Sequence, residues 1–325
     1  MDNVKVAKSN PISLKNKIFS KDFFEKIVVL LVLFVLVVVF SSMSEYFLSL
    51  NNFFSIGMTV SVIGLIAIGQ TMCIICRGFD MSVGMVAALG GVLFAKVVTA
   101  GVPVPIAVLI GLAFGCVAGL INGLCIAKLK LNAFITTFVW LQIYRGIIFI
   151  ITEGMPITIT KNKAFTFLGT YKVFGVVPLP IVILIALYII FYLILKYTRF
   201  GRQVYCVGGN PEAARICGIS VDKIQILSYV LISALSALGG ILFASRVSAA
   251  QPFIGETYAL DTIAAAVLGG TSMAGGKGNV LGSLLGVIII GVVQNGLIMI
   301  NMPAYYQYLA TGIIMFFAVL LHLDK

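Results

Sequence analysis

The stretch LPIVILIALYIIFYLILKYTRFGRQVYCVGGNPEAARICGISVD, residues 179–222, decides how this chain is read. Its first part, 179–196, is apolar up to Lys196. A helix of that length crosses most of a hydrocarbon layer about 30 Å thick. The part from Lys196 to Asp222 is the longest polar interruption after the N-terminal tail. Within it Gly208-Gly209-Asn210-Pro211 reads as a turn, with Pro suited to the first turn of the helix that follows. Glu212, Ala213, Ala214 and Arg215 continue that helix, with the acid near the positive end of its dipole. Gly218 ends it, as glycine does where the backbone turns left-handed. The stretch therefore predicts a short rigid helix over 208–219 between two membrane spans, a knob on which another protein docks. Glu212 and Arg215, three apart, are placed to pair along one face. The small Ala213 and Ala214 permit close approach.

The rest of the chain agrees with a membrane setting. Of 325 residues, 61% are hydrophobic and 10% charged, against about 25% charged in soluble domains. The fold class is all-α, a polytopic membrane protein of about ten transmembrane helices. The apolar segments lie near 27–43, 56–76, 81–100, 104–127, 133–151, 179–196, 225–245, 258–272, 280–299 and 304–321. The eighth is short and Gly-rich at its end, so a break is expected there. The apolar run after residue 26 has no small-residue cleavage pattern, and it reads as a retained first span.

Charge placement gives the orientation. With the N-terminus inside, the inner segments carry Lys5, Lys8, Lys15, Lys17, Lys21, Lys26, Arg77, Lys128, Lys130, Lys196, Arg199, Arg202, Arg215, Lys223, Lys277 and Lys325. The outer segments carry only Lys96, Lys161, Lys163, Lys172 and Arg246. Sixteen against five satisfies the positive-inside rule, so both termini and the polar loop 197–224 are expected in the cytoplasm. The chain then divides into a cytoplasmic tail, 1–26, and a single transmembrane domain, 27–325. Outer segments 152–178 and 246–257 would form the outer rim, the former with a short half-helical piece. The net charge of +11 forms no basic stripe interleaved with aromatics, which excludes nucleic acid as a partner.

Motifs for chemistry are few. Cys73 and Cys76 form a lone C-x-x-C inside an apolar helix and read as small buried hydrophobes. The single histidine, His322, excludes a histidine metal site or triad. Gly276-Lys277 fails as a phosphate loop, with Thr271 where the first glycine belongs and Gly278 where Ser or Thr belongs. This chain is therefore not an ATPase, and no cofactor or metal is expected in it. Glycine rows at Gly111, Gly115, Gly119 and at Gly282, Gly286 predict close helix packing.

Intramembrane ionisable groups point to function or to bracing. Arg77 and Asp80, three apart in the break RGFDMSVG, are placed to pair locally, with Asp80 as a cap for the next helix and Ser82 in its first turn. Arg145, mid-span in TTFVWLQIYRGIIF, needs a carboxylate or a polar cavity. Asp261 lies near an outer end. The amides Gln70, Asn122, Gln294, Asn295 and Gln307 suit a sugar pathway, since amides both donate to and accept from hydroxyls. The candidate pathway or bracing residues are Asp80, Asn122, Arg145, Gln294 and Asn295.

Four stretches carry a family resemblance: GQTMCIICRGFDMSVG (69–84), NAFITTFVWLQIYRG (132–146), TRFGRQVYCVGGNPEAARICGISVDKIQ (198–225) and SAAQPFIGETYALDTIAAAVLGGTSMAGGKGNVLGSLLG (248–286). Over roughly residues 45–321 the chain resembles the membrane permease subunits of bacterial ABC importers for ribose and related simple sugars. The resemblance implies a non-catalytic permease in the bacterial plasma membrane that passes a monosaccharide. Its implied partners are a second permease copy (the same or a related chain), a cytosolic ATPase that binds the ATP and magnesium, an extracellular sugar-binding protein, and the membrane lipid. Gly209, Asn210, Pro211, Glu212, Ala213, Ala214, Arg215 and Gly218 are similar to the family's ATPase-contacting coupling helix. Arg77 departs from the small residue usual before the glycine of that break. The competing reading is a stand-alone ion-coupled transporter, with Asp261 the best candidate for the ion-linked carboxylate.

Overall fold

The structure, a computed structural model, describes residues 21–159 and 162–321. The tail before Lys21, Lys161, and the C-terminal His322 and Lys325 lie outside the described residues. Among those described, thirteen helices carry almost all of the regular structure. They are α1 (Lys21–Met43), α2 (Leu50–Ile75), α3 (Val83–Thr99), α4 (Val104–Ala127), α5 (Ala133–Thr152), α6 (Lys163–Thr170), α7 (Leu179–Tyr197), α8 (Arg199–Gly209), α9 (Pro211–Ile216), α10 (Val221–Val247), α11 (Tyr258–Leu268), α12 (Val280–Met299) and α13 (Ala304–Leu321). Four two-residue strands accompany them: β1 (Ile157–Thr158), β2 (Lys172–Val173), β3 (Val177–Pro178) and β4 (Ala249–Ala250).

Each of the ten expected segments is a helix. Six of them, α2, α4, α5, α7, α10 and α12, are long and apolar enough to cross a membrane, while the apolar parts of α1, α3 and α11 are shorter. The broken eighth segment stops at Leu268, and the chain runs irregularly through Gly269–Gly278 before α12.

The core is built around α2 and α10. Helix α2 is buried throughout from Val60 to Ile75, and α10 packs on α4, α3 and α2. The glycine rows make this possible. A Cβ at Gly119 would run into the Tyr229 carbonyl of α10, and one at Gly286 into the Ala265 carbonyl of α11. Small residues thus let backbones touch, which is how helices gain packing energy in a solvent as apolar as their own side chains. The outer faces of α1, α4, α5 and α7 expose Leu30, Phe34, Leu109, Ile135, Ile150 and Ile189. An apolar surround satisfies such faces, and water would not.

The connections gather at two ends. One end carries α8, α9 and the breaks after α2 and α11; it is called the loop end below. At the opposite end β1 pairs antiparallel with β4, joining segment 152–178 to segment 246–257. The short helix α6 sits there, with Ser245 accepting from the Gly169 amide at 2.8 Å. The two segments therefore come together as far as β4. Beyond it the chain turns inward: a Cβ at Gly84 would strike the Gly255 carbonyl, and Tyr258 and Ala259 pack with Ile66 and Tyr229. Segment 251–257 dips into the bundle rather than lying on its rim.

Loop 197–224 also differs from expectation. It holds two helices, not one. Arg199–Gly209 is helical because its buried residues Gly201, Val204, Val207 and Gly208 recur three or four apart and make one face. The turn falls at Asn210 alone, after Gly208 and Gly209.

Candidate functional site

At the loop end α9 is a capped single turn and a half. The Asn210 side chain accepts from the Glu212 and Ala213 amides at 3.0 and 3.1 Å, and Pro211 occupies the first helical position, where no amide proton is needed. At the other end Gly218 adopts φ +80°, and the Ile219 amide reaches back to the Ala214 carbonyl at 3.0 Å. Both caps are those expected from residue type. The expected pair between Glu212 and Arg215 is not formed. Arg215 bonds Asp222 at 3.2 Å, and Asp222 also takes Lys128 and Lys130 at 3.2 and 3.1 Å. Arg215 thus reaches a carboxylate seven residues on rather than the one three residues back. Ala214 is buried against the protein's own core, so its small size seats α9 on the bundle. Ala213 faces outward, and beside it Ile216 is 88% exposed. Sequence reasoning passed over Ile216; an apolar residue just before a glycine-ended helix was the available signal.

Arg77 joins α8 to the rest of the molecule. Its Nε and Nη2 donate to the Gly208 and Gly209 carbonyls, each at 2.6 Å. These carbonyls belong to the last turn of α8, where oxygens lack helical partners and the dipole favours a cation. Arg77 itself takes the left-handed φ of +64°. The local pair with Asp80 is thus absent: the guanidinium turns away from the nearer carboxylate toward two oxygens it can hold in a fork. The Ile75 carbonyl accepts from the Gly276 amide at 2.9 Å, and the Tyr205 hydroxyl donates to the Gly278 carbonyl at 2.9 Å. The end of α2, the end of α8 and the second glycine-rich break meet at one point.

Asp80 is fully buried and finds other donors. Its Oδ1 accepts from the Ser82 amide at 2.7 Å and the Ser82 hydroxyl at 2.6 Å, and its Oδ2 from Asn122 Nδ2 at 3.3 Å. Contrary to expectation, Asp80 is not the cap of α3: Ser82 is the N-cap, no side chain caps the first amides, and Asp80 holds the Ser82 amide just before the helix. Asn122 also donates to Ser82 Oγ at 3.0 Å, tying α4 to the break.

The remaining candidates separate into two places. Asn295 Nδ2 donates to Asn52 Oδ1 at 2.9 Å, and Asn52 in turn to the Phe47 carbonyl at 2.8 Å, a brace between α12 and the start of α2. Arg145 is paired: its Nη2 meets the Glu256 carboxylate across 111 residues of chain. Glu256 lies on the inward-dipping segment, where it lines a cavity together with Gln294, Gln307, Asp261, Thr59 and Tyr308. In that cavity Asp261 is 1% exposed. Its Oδ2 accepts from the Thr257 hydroxyl at 2.9 Å, and its Oδ1 has no hydrogen-bond partner. Glu256 could not be assigned from sequence, because its role depends on the fold of segment 251–257.

No cluster of three or more metal-type ligands occurs among the described residues. Cys73 and Cys76 are buried and unbridged.

Residues 52–319 match the family described as branched-chain amino acid transport system / permease component. The chain is 39% identical over 294 residues to the ribose import permease protein RbsC of Bacillus subtilis, covering 90% of this chain and 91% of that protein. It is 38% identical over 299 residues to the L-arabinose transport system permease protein AraH of Escherichia coli, covering 92% and 90%. With the probable ABC transporter permease protein YphD of Escherichia coli it shares 33% over 309 residues, 95% and 92% of the two chains. No solved structure matches.

Proposed function

The chain belongs to the permease-component family of branched-chain amino acid transport systems, and we propose that within it this chain is the permease subunit of an ATP-driven monosaccharide importer. It passes ribose or a related simple sugar across the bacterial plasma membrane. The relatives named for ribose and arabinose, similar over nine-tenths of their length, support a sugar over the amino acids of the family's description. So does the cavity, whose Gln294 and Gln307 amides and Asp261 and Glu256 carboxylates suit hydroxyl groups better than an aliphatic side chain.

The observation that carries the reading is the junction at Arg77. A partner ATPase docks on α9, through the exposed Ile216, Ala213 and Glu212. Displacement of α9 passes to α8 across Asn210. The Arg77 fork and the Tyr205 bond then pass it to α2 and to the break before α12. Both of those helices reach the cavity, at Thr59 and Gln294. The chain supplies the conduit and the lever, the partner the ATP hydrolysis and its magnesium. In this reading loop 197–224 and both termini face the cytoplasm, and a second permease copy and an extracellular sugar-binding protein complete the assembly.

The test is uptake by proteoliposomes holding this chain, its ATPase and its binding protein. ATP-dependent accumulation of D-ribose or L-arabinose is expected. Accumulation that ignores ATP and follows a sodium or proton gradient would overturn the importer.

A further inference from the structure

The cavity between α2, α11, α12 and α13 opens to the surface beside Phe253 and Tyr308 and has a volume of about 250 Å³. That is just below the range of pockets for drug-sized ligands, about 300–1,000 Å³, and suits one sugar ring. The short helix α11 starts at it, with Asp261 in the first turn. Asp261 is buried and has no ion-pair partner among the described residues; Thr257 donates to its Oδ2, the Gln294 amide stands beside the carboxylate, and its Oδ1 makes no hydrogen bond of ordinary geometry. A buried oxygen left unsatisfied is costly, so a donor from a ligand gains the full difference. The charge itself is partly met by the start of α11, which favours an anion. What the group lacks is a hydrogen bond rather than a counter-ion. The other carboxylate there, Glu256, already has Arg145. Gln294 and Gln307 add donors and acceptors from two further helices, and Phe253 and Tyr308 add aromatic surface.

We propose that this cavity is a binding site for a neutral polyhydroxylated ligand, with Asp261 Oδ1 accepting from a ligand hydroxyl and the two glutamines fixing its neighbours. The site gives the permease its own recognition of the sugar, apart from any binding protein. The choice of sugar rests on the reading of the chain as a monosaccharide importer; the site itself rests on the cavity and its bare oxygen.

The experiment uses the full chain purified with its ATPase. Thermal unfolding is followed while D-ribose or L-arabinose is raised through the millimolar range, since a ligand of the native state raises the transition. Wild type is expected to be stabilised. Asp261→Leu, of similar size and without an acceptor, and Gln307→Leu are each expected to weaken apparent affinity about tenfold, the loss of one hydrogen bond to a buried or charged partner. Unchanged affinity in both variants overturns the site, as does stabilisation of wild type by sodium ions or by ethanolamine but not by either sugar. Uptake by the assembled importer separates this from the broader reading. Sugar-dependent stabilisation without uptake keeps the site and removes the importer. Uptake with both variants equal to wild type keeps the importer and removes the site.

Discussion

At the loop end Arg77 holds two carbonyls, Asp222 collects Lys128, Lys130 and Arg215, and Asp80 takes three donors. In the cavity, Asp261 keeps one oxygen bare although almost no solvent reaches it. The two regions are built from the same residue types and differ in how their charged groups are met: Arg77, Asp80 and Asp222 each hold two or more partners, and Asp261 holds the Thr257 hydroxyl. A satisfied network is stiff, because any displacement breaks a bond that nothing replaces. An unsatisfied one waits for a partner. In the reading proposed above, the first kind passes motion between helices, and the second binds.

The sharpest test of this contrast asks which end faces the cell. In a chain whose six native cysteines are replaced by serine, Lys163→Cys is expected to react fully with an impermeant maleimide on intact cells, and Arg215→Cys not at all. Labelling of Arg215→Cys would put the stiff end outside and leave it no ATPase to meet.

Next in size is Arg77→Ala, which strips the last turn of α8 of two charge-assisted bonds, each of the kind worth about 1.5–3 kcal/mol. Sugar-stimulated ATP hydrolysis and uptake are expected to fall together by tenfold or more, with Arg77→Lys recovering part through a single contact. Normal stimulation in Arg77→Ala protein recovered with its ATPase would show that force takes another route.

Ile216→Ser removes exposed apolar surface from α9 while touching no internal contact. Its expected signature is loss of most of the co-purified ATPase with the chain itself at wild-type level. Equal recovery of the ATPase would move the docking face away from Ile216.

Arg145→Leu leaves Glu256 unpaired at the edge of the cavity. The pair is 37% and 45% exposed, so its own stability is modest, about 0.2–1 kcal/mol. A few-fold rise in the sugar concentration for half-maximal uptake is expected, with ATP hydrolysis unchanged in the absence of sugar. A loss of membrane insertion would instead make Arg145 a brace.

The smallest effect belongs to Asn295→Leu. It breaks the bond to Asn52, a neutral pair worth about 1 kcal/mol. A small drop in thermal stability with normal uptake is expected, and an uptake defect would place Asn295 on the pathway.

What residue order alone determined was whatever depends on near neighbours. Ten apolar runs became ten helices, because a backbone in lipid must satisfy its own hydrogen bonds and a helix does so within one segment. Asn210, Pro211 and Gly218 bounded α9, since caps are made by residues a turn away. The glycine rows marked where helices touch. Side-chain partners across the bundle were another matter. Sequence offered Arg77 the carboxylate three residues on, and folding gave it carbonyls 131 and 132 residues away. Arg145 was known to need a partner, but Glu256 became available only when segment 251–257 turned inward against Gly84. Asp261 looked like an outer-end residue until α11 placed it, buried, at the wall of a cavity. Such pairings are decided by which helices pack together. That choice is spread over many weak contacts, and no short stretch of sequence records it.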